Sequence, residues 1–191
     1  MILIRSLFII QALFIGNYSF SQTISSQKIE IKVDRVNSLF EVQVDMRLPI
    51  NECKAYLFLT NYEDAKYISG IKESKIIERK DNKVIVERVV EERILFIPIH
   101  LYSLITYTEV PGKAIYFSQI KGDAKKYEGA WTINPGDNGL THIRYESKFE
   151  LETSVPLFFI EYFMKKSATS RFEALVDRML RRNYERDQEC H

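Results

Sequence analysis

The sequence is short of the residues from which metal centres, disulfide frameworks and nucleophile–base pairs are built. It has two cysteines and three histidines in 191 residues. Two cysteines are too few for a disulfide framework. His100, His142 and His191 stand at no metal-ligand spacing from one another, nor do the cysteines, so no metal is expected. There is no phosphate-cradling glycine loop, nucleophile elbow or dinucleotide fingerprint, so no cofactor is expected and no catalytic residue can be named. A site assembled from distant strands would leave no such mark. Charge of one sign is lacking too. Once Arg5 is set aside with the leader discussed next, 26 basic residues face 26 acidic ones. A balanced chain has no general pull on polyanions, and nucleic acid is not an expected partner.

Long hydrophobic runs are also missing. The N-terminal stretch Leu7–Ile15 is apolar apart from Gln11, follows the single charge Arg5, and is too short to span a bilayer comfortably. Ser19 and Ser21 carry the small side chains a signal peptidase prefers. Residues 1–21 therefore read as a secretory leader cut before Gln22, with an uncleaved anchor as the competing reading. No cysteine lies near the cut to carry a lipid. The expected location is periplasmic or extracellular. An exporting compartment permits one disulfide, but the tail after Arg182 is polar and charged, so Cys53 and Cys190 are expected to be free thiols.

What remains suits one domain, long enough to bury roughly two-thirds of its unfolded surface without a staple. Residues 22–39 form an N-terminal extension in which Ile29, Ile31 and Val33 alternate with charges as an extra strand. Phe40, Val42, Val44 and Met46 mark a second strand that Pro49 ends. Asn51 can cap a short helix through Leu59, and a second short helix over Tyr62–Ile68 stops at Gly70. Strands follow over Lys75–Arg79, Lys83–Ile97, which Pro98 should break, His100–Glu109, Ala114–Lys121, Tyr127–Ile133 and Thr141–Glu152. Turns at Asp81-Asn82, Pro111-Gly112, Gly122-Asp123 and Pro135–Gly139 separate them. Such hairpins make an antiparallel meander with one wet face. From Pro156 to Arg182 neither glycine nor a second proline occurs. Ile160, Met164, Ser167, Arg171, Leu175 and Met179 then recur at helical spacing, which predicts one long helix with a stripe for the sheet. Arg178, Arg181 and Arg182 complement its C-terminal dipole.

Particular stretches sharpen this order of elements. Leu59-Thr60-Asn61-Tyr62-Glu63, then Tyr67-Ile68-Ser69-Gly70-Ile71 and Ser74, resemble the segment after the first helix of the START-like, or SRPBCC, superfamily. Lys121-Gly122-Asp123, Gly129-Ala130-Trp131 and Gly139-Leu140-Thr141 with Tyr145 are similar to its polyketide cyclase/dehydrase and lipid-transport branch, which includes the coenzyme Q-binding proteins. The resemblance runs from about Phe40 to Leu180, with Asn61 where the branch commonly has an acid. It implies an α+β helix-grip fold over residues 40–185: a curved antiparallel sheet wrapped around a long C-terminal helix, two short helices after an early strand, and a 186–191 tail. It also implies a hydrophobic cavity between sheet and helix.

The residues offer candidates for its wall. Arg88 shares a row with Val84, Val86 and Val90 and can meet a ligand's polar head. The bland alternative has that row at the rim or Arg88 paired with Glu92. Tyr102 and Tyr107 fall on opposite strand faces, so at most one is interior. Gly129 and Ser147 are small residues in rows of large ones, beside Trp131, Tyr145 and Phe149, leaving either ligand volume or room for close helix packing. The expected ligand cavity thus comprises Arg88, Tyr102, Gly129, Trp131, Tyr145, Ser147, Phe149 and Met164. The expected function is an exported, non-catalytic holder of a hydrophobic small molecule (lipid, isoprenoid or polyketide-like) that touches membranes transiently. The rivals are a cyclase- or dehydratase-like enzyme and a protein-interaction domain with a collapsed cavity.

Overall fold

A computed structural model describes residues 28–94, 97–151, 155–183 and 190. The expected leader, its expected cut and most of the tail lie outside the described residues.

Period-two alternation produces strand β1 (Lys28–Val36) and strand β2 (Leu39–Leu48). Phe40, Val42, Val44, Met46 and Leu48 are buried on one face of β2, while Gln43 and Arg47 point to solvent. The first helix, α1 (Glu52–Thr60), starts where Asn51 Oδ1 accepts a hydrogen bond from the Cys53 amide at 2.7 Å. This supplies one of the partners that a helix start lacks. The expected second helix is a 3-10 turn, Tyr62–Tyr67, and Gly70 follows at φ +84°.

Six strands then run consecutively: β3 (Ile71–Lys80), β4 (Lys83–Ile94), β5 (Ile97–Val110), β6 (Ala114–Gly122), β7 (Ala124–Pro135) and β8 (Thr141–Leu151). The sheet order is β1-β2-β8-β7-β6-β5-β4-β3, with all neighbours antiparallel. The two short helices therefore carry the chain from β2 to the far edge of the sheet. The meander then returns until β8 pairs with β2, Tyr145 opposite Val44. The sheet curves without closing, with β1 and β3 as its edges.

Helix α2 (Leu157–Asn183) has 27 residues and runs along the concave face. Pro156 stands just before it, its carbonyl accepting from the Phe159 amide at 3.0 Å. Val176 and Met179 are sealed against the sheet together with Phe172 and Leu175, two faces' worth of a stripe of which the sequence spacing gave half. Each large apolar side chain so buried contributes roughly 1.5–3 kcal/mol.

Two expectations fail. Pro98 does not break a strand; it lies within β5, opposite Arg93, because β4 ends at Ile94 and β5 begins at Ile97. Its missing N–H is tolerated one residue into a strand. Cys53 and Cys190 are joined by a disulfide, with Cα atoms 5.9 Å apart. The tail's composition argued for free thiols, but the fold packs α2 against α1 and so returns the end of the chain to the first turn of α1.

Candidate functional site

A cavity of about 450 Å³ lies between the inner face of the sheet and α2, lined along the helix by Ile160, Phe163, Met164, Ser167 and Ala168. Its floor is aromatic. Tyr145 stacks on Phe117 with centroids 5.8 Å apart, and meets Trp131 at 4.6 Å and Phe172 at 5.0 Å. Tyr127 meets the edge of Phe149 at 5.8 Å. Strand parity explains the set: Tyr145, Ser147 and Phe149 are every second residue of β8, while Arg144, Glu146 and Lys148 take the wet face.

Arg88 lies on the inner row of β4 beyond the fully buried Val84 and Val86. Its Nη1 donates to Tyr107 Oη at 3.0 Å, and Nε and Nη2 donate to Ser74 Oγ at 3.4 and 3.3 Å. Ser74 in turn donates to the Tyr62 carbonyl at 2.6 Å, and the Tyr62 ring packs on Tyr107 at 4.5 Å. Both partners of the guanidinium are thus fixed by the 3-10 turn. Among the described residues no carboxylate pairs with Arg88. Glu92, the alternative partner in the same row, instead accepts from Arg171 Nη2 at 2.5 Å and from Ser167 Oγ at 2.8 Å, tying α2 to β4 at the cavity edge. Arg171 reaches there over Gly70, where a Cβ would stand 2.6 Å from Nη2; its Nε donates to the Ser69 carbonyl.

The tyrosines of the wall are proton donors. Burial pushes Tyr107 up to about 12, with Arg88 pulling the other way, and raises Tyr127 and Tyr145 as well. The Tyr127 and Tyr145 hydroxyls lie 3.4 Å apart. The carboxylates that border the cavity are engaged: Glu92 as above, Asp123 by the Tyr102 amide and Asp64 by Asn61 Nδ2. Among the described residues no group of histidines, cysteines and acids is placed to hold a metal ion.

Of the residues expected to line a cavity, Arg88, Trp131, Tyr145, Ser147, Phe149 and Met164 surround this one. Tyr102 borders it, but its hydroxyl donates to Glu87 on the opposite face of the sheet, at 3.2 Å. Tyr107 is the inward phenol, as the parity of Arg88 and its partner Ser103 requires. Gly129 leaves no free volume. A Cβ there would overlap the Glu146 carbonyl oxygen and stand 2.6 Å from Phe117 Cζ. The glycine makes room for the Phe117 ring, not for a ligand. Ser74 entered the sequence reading only through the family resemblance; its contact with Arg88 depends on β3 lying beside β4. Glu92 was legible only as a partner for Arg88; that it pairs with Arg171 depends on α2 lying beside β4.

A family model described as polyketide cyclase / dehydrase and lipid transport matches residues 48–179. Among solved structures, the STAR-related lipid transfer protein from Xanthomonas axonopodis is similar, with TM-score 0.65, 14% identity, and coverage of 81% of this chain and 97% of that one. The Zhui aromatase/cyclase from Streptomyces sp. R1128 gives 0.62, 12%, 75% and 95%. A START superfamily protein from Mycobacterium smegmatis gives 0.62, 16%, 74% and 97%. These likenesses are of fold. A search of curated proteins found no match.

Proposed function

From a chain that belongs to the polyketide cyclase / dehydrase and lipid transport family, we propose a protein that is exported and holds a hydrophobic small molecule in its cavity without transforming it. The observation that carries this reading is an open, largely apolar space of about 450 Å³ under α2, within the range of sites for drug-sized molecules. Transfer of an apolar ligand out of water supplies the affinity, and the few wall donors fix its orientation. An unfilled space of this size also speaks against a collapsed interaction domain.

The family admits catalysis, and the hydroxyls of Tyr107, Tyr127 and Tyr145 around Arg88 favour that as the second reading, because such donors can polarise a carbonyl. Acid–base turnover also needs a base. Among the described residues the lining contains no histidine, its acids are engaged, and its buried tyrosines hold their protons. These features support the binding reading.

Export is supported by the leader-like sequence of residues 1–21 and by the Cys53–Cys190 disulfide, a bond that persists in oxidising compartments. Transient membrane contact is supported by Phe158, Phe159 and Tyr162 in the first turns of α2. They are 60%, 37% and 63% exposed, adjoin the cavity residues Phe163 and Met164, and precede the exposed Lys165 and Lys166. Among the described residues no helix is long and apolar enough to cross a membrane.

The test is uptake of the neutral apolar probe N-phenyl-1-naphthylamine, with mass spectrometry of small molecules that accompany the natively produced protein. The parent should take up the probe, and Ser147→Trp, which fills the cavity floor, should take up much less. No uptake by the parent refutes the binding reading. Chemical conversion of a polyketide-like substrate would replace it with the enzyme reading.

A further inference from the structure

Arg88 is a cation in a largely apolar cavity, and among the described residues its hydrogen-bond partners are neutral. A buried or half-buried charge is normally paired, since leaving it without a counter-charge costs free energy. The neighbouring cation follows that rule: Arg171 has Glu92. Arg79 likewise has Glu109, at 3.2 Å. Arg88 has the hydroxyls of Ser74 and Tyr107.

The donor inventory shows what is left over. A guanidinium has five N–H groups. Nε, one hydrogen of Nη1 and one of Nη2 are engaged, so one N–H on each terminal nitrogen remains. Ser74 spends its own proton on the Tyr62 carbonyl and so serves Arg88 as an acceptor. Tyr107 Oη accepts from Arg88, and its proton has no acceptor among the described residues. Two guanidinium N–H groups and one phenol O–H at one place on the cavity wall therefore have no acceptor among the described residues. The guanidinium carbon lies 5.8 Å from the centroid of the Tyr107 ring, whose hydroxyl it reaches.

Resting on the reading of the cavity as a binding site, we propose that the ligand is a carboxylate-bearing amphiphile, its carboxylate held by Arg88 and Tyr107 and its apolar body lying along Tyr127, Trp131, Phe149 and Met164. A carboxylate accepts two parallel N–H bonds from a guanidinium and a third from the phenol. A neutral alcohol of the same chain length can satisfy at most part of that set and leaves the charge unpaired.

The experiment compares laurate with 1-dodecanol, at pH 8, as competitors of bound N-phenyl-1-naphthylamine. In the parent, laurate should displace the probe about tenfold or more better than dodecanol, the advantage of charge-assisted over neutral hydrogen bonds. In Arg88→Met the ratio of the two should fall to about one, and in Tyr107→Phe, which keeps the ring, it should fall part of the way. Taking the ratio within each variant cancels changes in general cavity affinity. A parent that binds the probe but does not prefer laurate overturns this inference and leaves the binding reading standing. A preference that survives Arg88→Met overturns the assignment of the head group to this residue. A parent that binds no probe removes the reading on which both rest.

Discussion

Replacing Gly129 with alanine sets two effects of opposite sign against each other. Gly129 is not among the glycines with positive φ, so an alanine can adopt its backbone conformation. On that count alone the change stabilises, by about 0.4–1 kcal/mol, because the unfolded chain loses freedom. Against it stands the packing between β7 and β8. The new methyl would overlap the Glu146 carbonyl oxygen and approach the Ser147 Cα to 2.9 Å and Phe117 Cζ to 2.6 Å. Two of these three are backbone atoms of the paired strand, which cannot rotate away. The third is the ring of a buried aromatic stacked on Tyr145. Overpacking of this kind costs roughly 1–3 kcal/mol and occasionally more, and an obstacle made of backbone puts it at the upper end. The net expectation is a loss of about 2 kcal/mol, a drop in thermal midpoint of about 4–8 °C for a domain of this size. Because Phe117 must shift and also lines the cavity, uptake of the apolar probe should change too. Equilibrium denaturation with the midpoint scan measures the first effect. A Gly129→Ala protein as stable as the parent, or more so, would refute the claim that β7 and β8 leave no room there.

The remaining expectations concern other parts of the molecule. Alkylation of denatured, unreduced protein should label no cysteine, and Cys53→Ser should cost about 2–5 kcal/mol by the usual effect of opening a long loop; labelling of both thiols would contradict the bond. Phe158→Ser with Tyr162→Ser should weaken flotation with phosphatidylglycerol vesicles while leaving the thermal midpoint nearly unchanged, since both side chains are mostly exposed; undiminished flotation would exclude this face as the contact. Asp45 lies 2.8 Å from His142 Nε2 and accepts from Arg144 Nε at 2.9 Å. Burial alone would raise its carboxyl, but these two partners hold it below the usual carboxylate range. A depressed folded pKa contributes stability above the unfolded value of about 4 and loses it as pH falls through the folded value. Asp45→Asn should therefore be less stable than the parent at pH 7, with the gap closing below about pH 4; a gap constant to pH 2 would sink this account.

The sequence by itself determined the elements, because their signals are local. Alternation of apolar and charged residues made β1, β2 and β8 legible, Asn51 marked the start of α1, and a run without glycine and with one leading proline marked α2. Parity within β4 already placed Arg88 with Val84 and Val86, so much of the cavity wall could be named. What lay beyond reach was relational. Whether Tyr102 or Tyr107 faces inward depends on how β5 registers with β4, and their parity alone says only that they differ. Gly129 looked like spare volume until β8 and Phe117 came within contact distance of it. The thiols looked free until the fold packed α2 against α1 and brought Cys190 to Cys53 across 137 residues of chain. Arg88 was weighed against Glu92 as its partner, and only tertiary packing gave Glu92 to Arg171 and left Arg88 with hydroxyls. Local propensity fixes what each segment becomes, since it depends on neighbours within a few residues. Which charge is paired, and which is left for a ligand, depends on distances between segments that the chain's order does not contain.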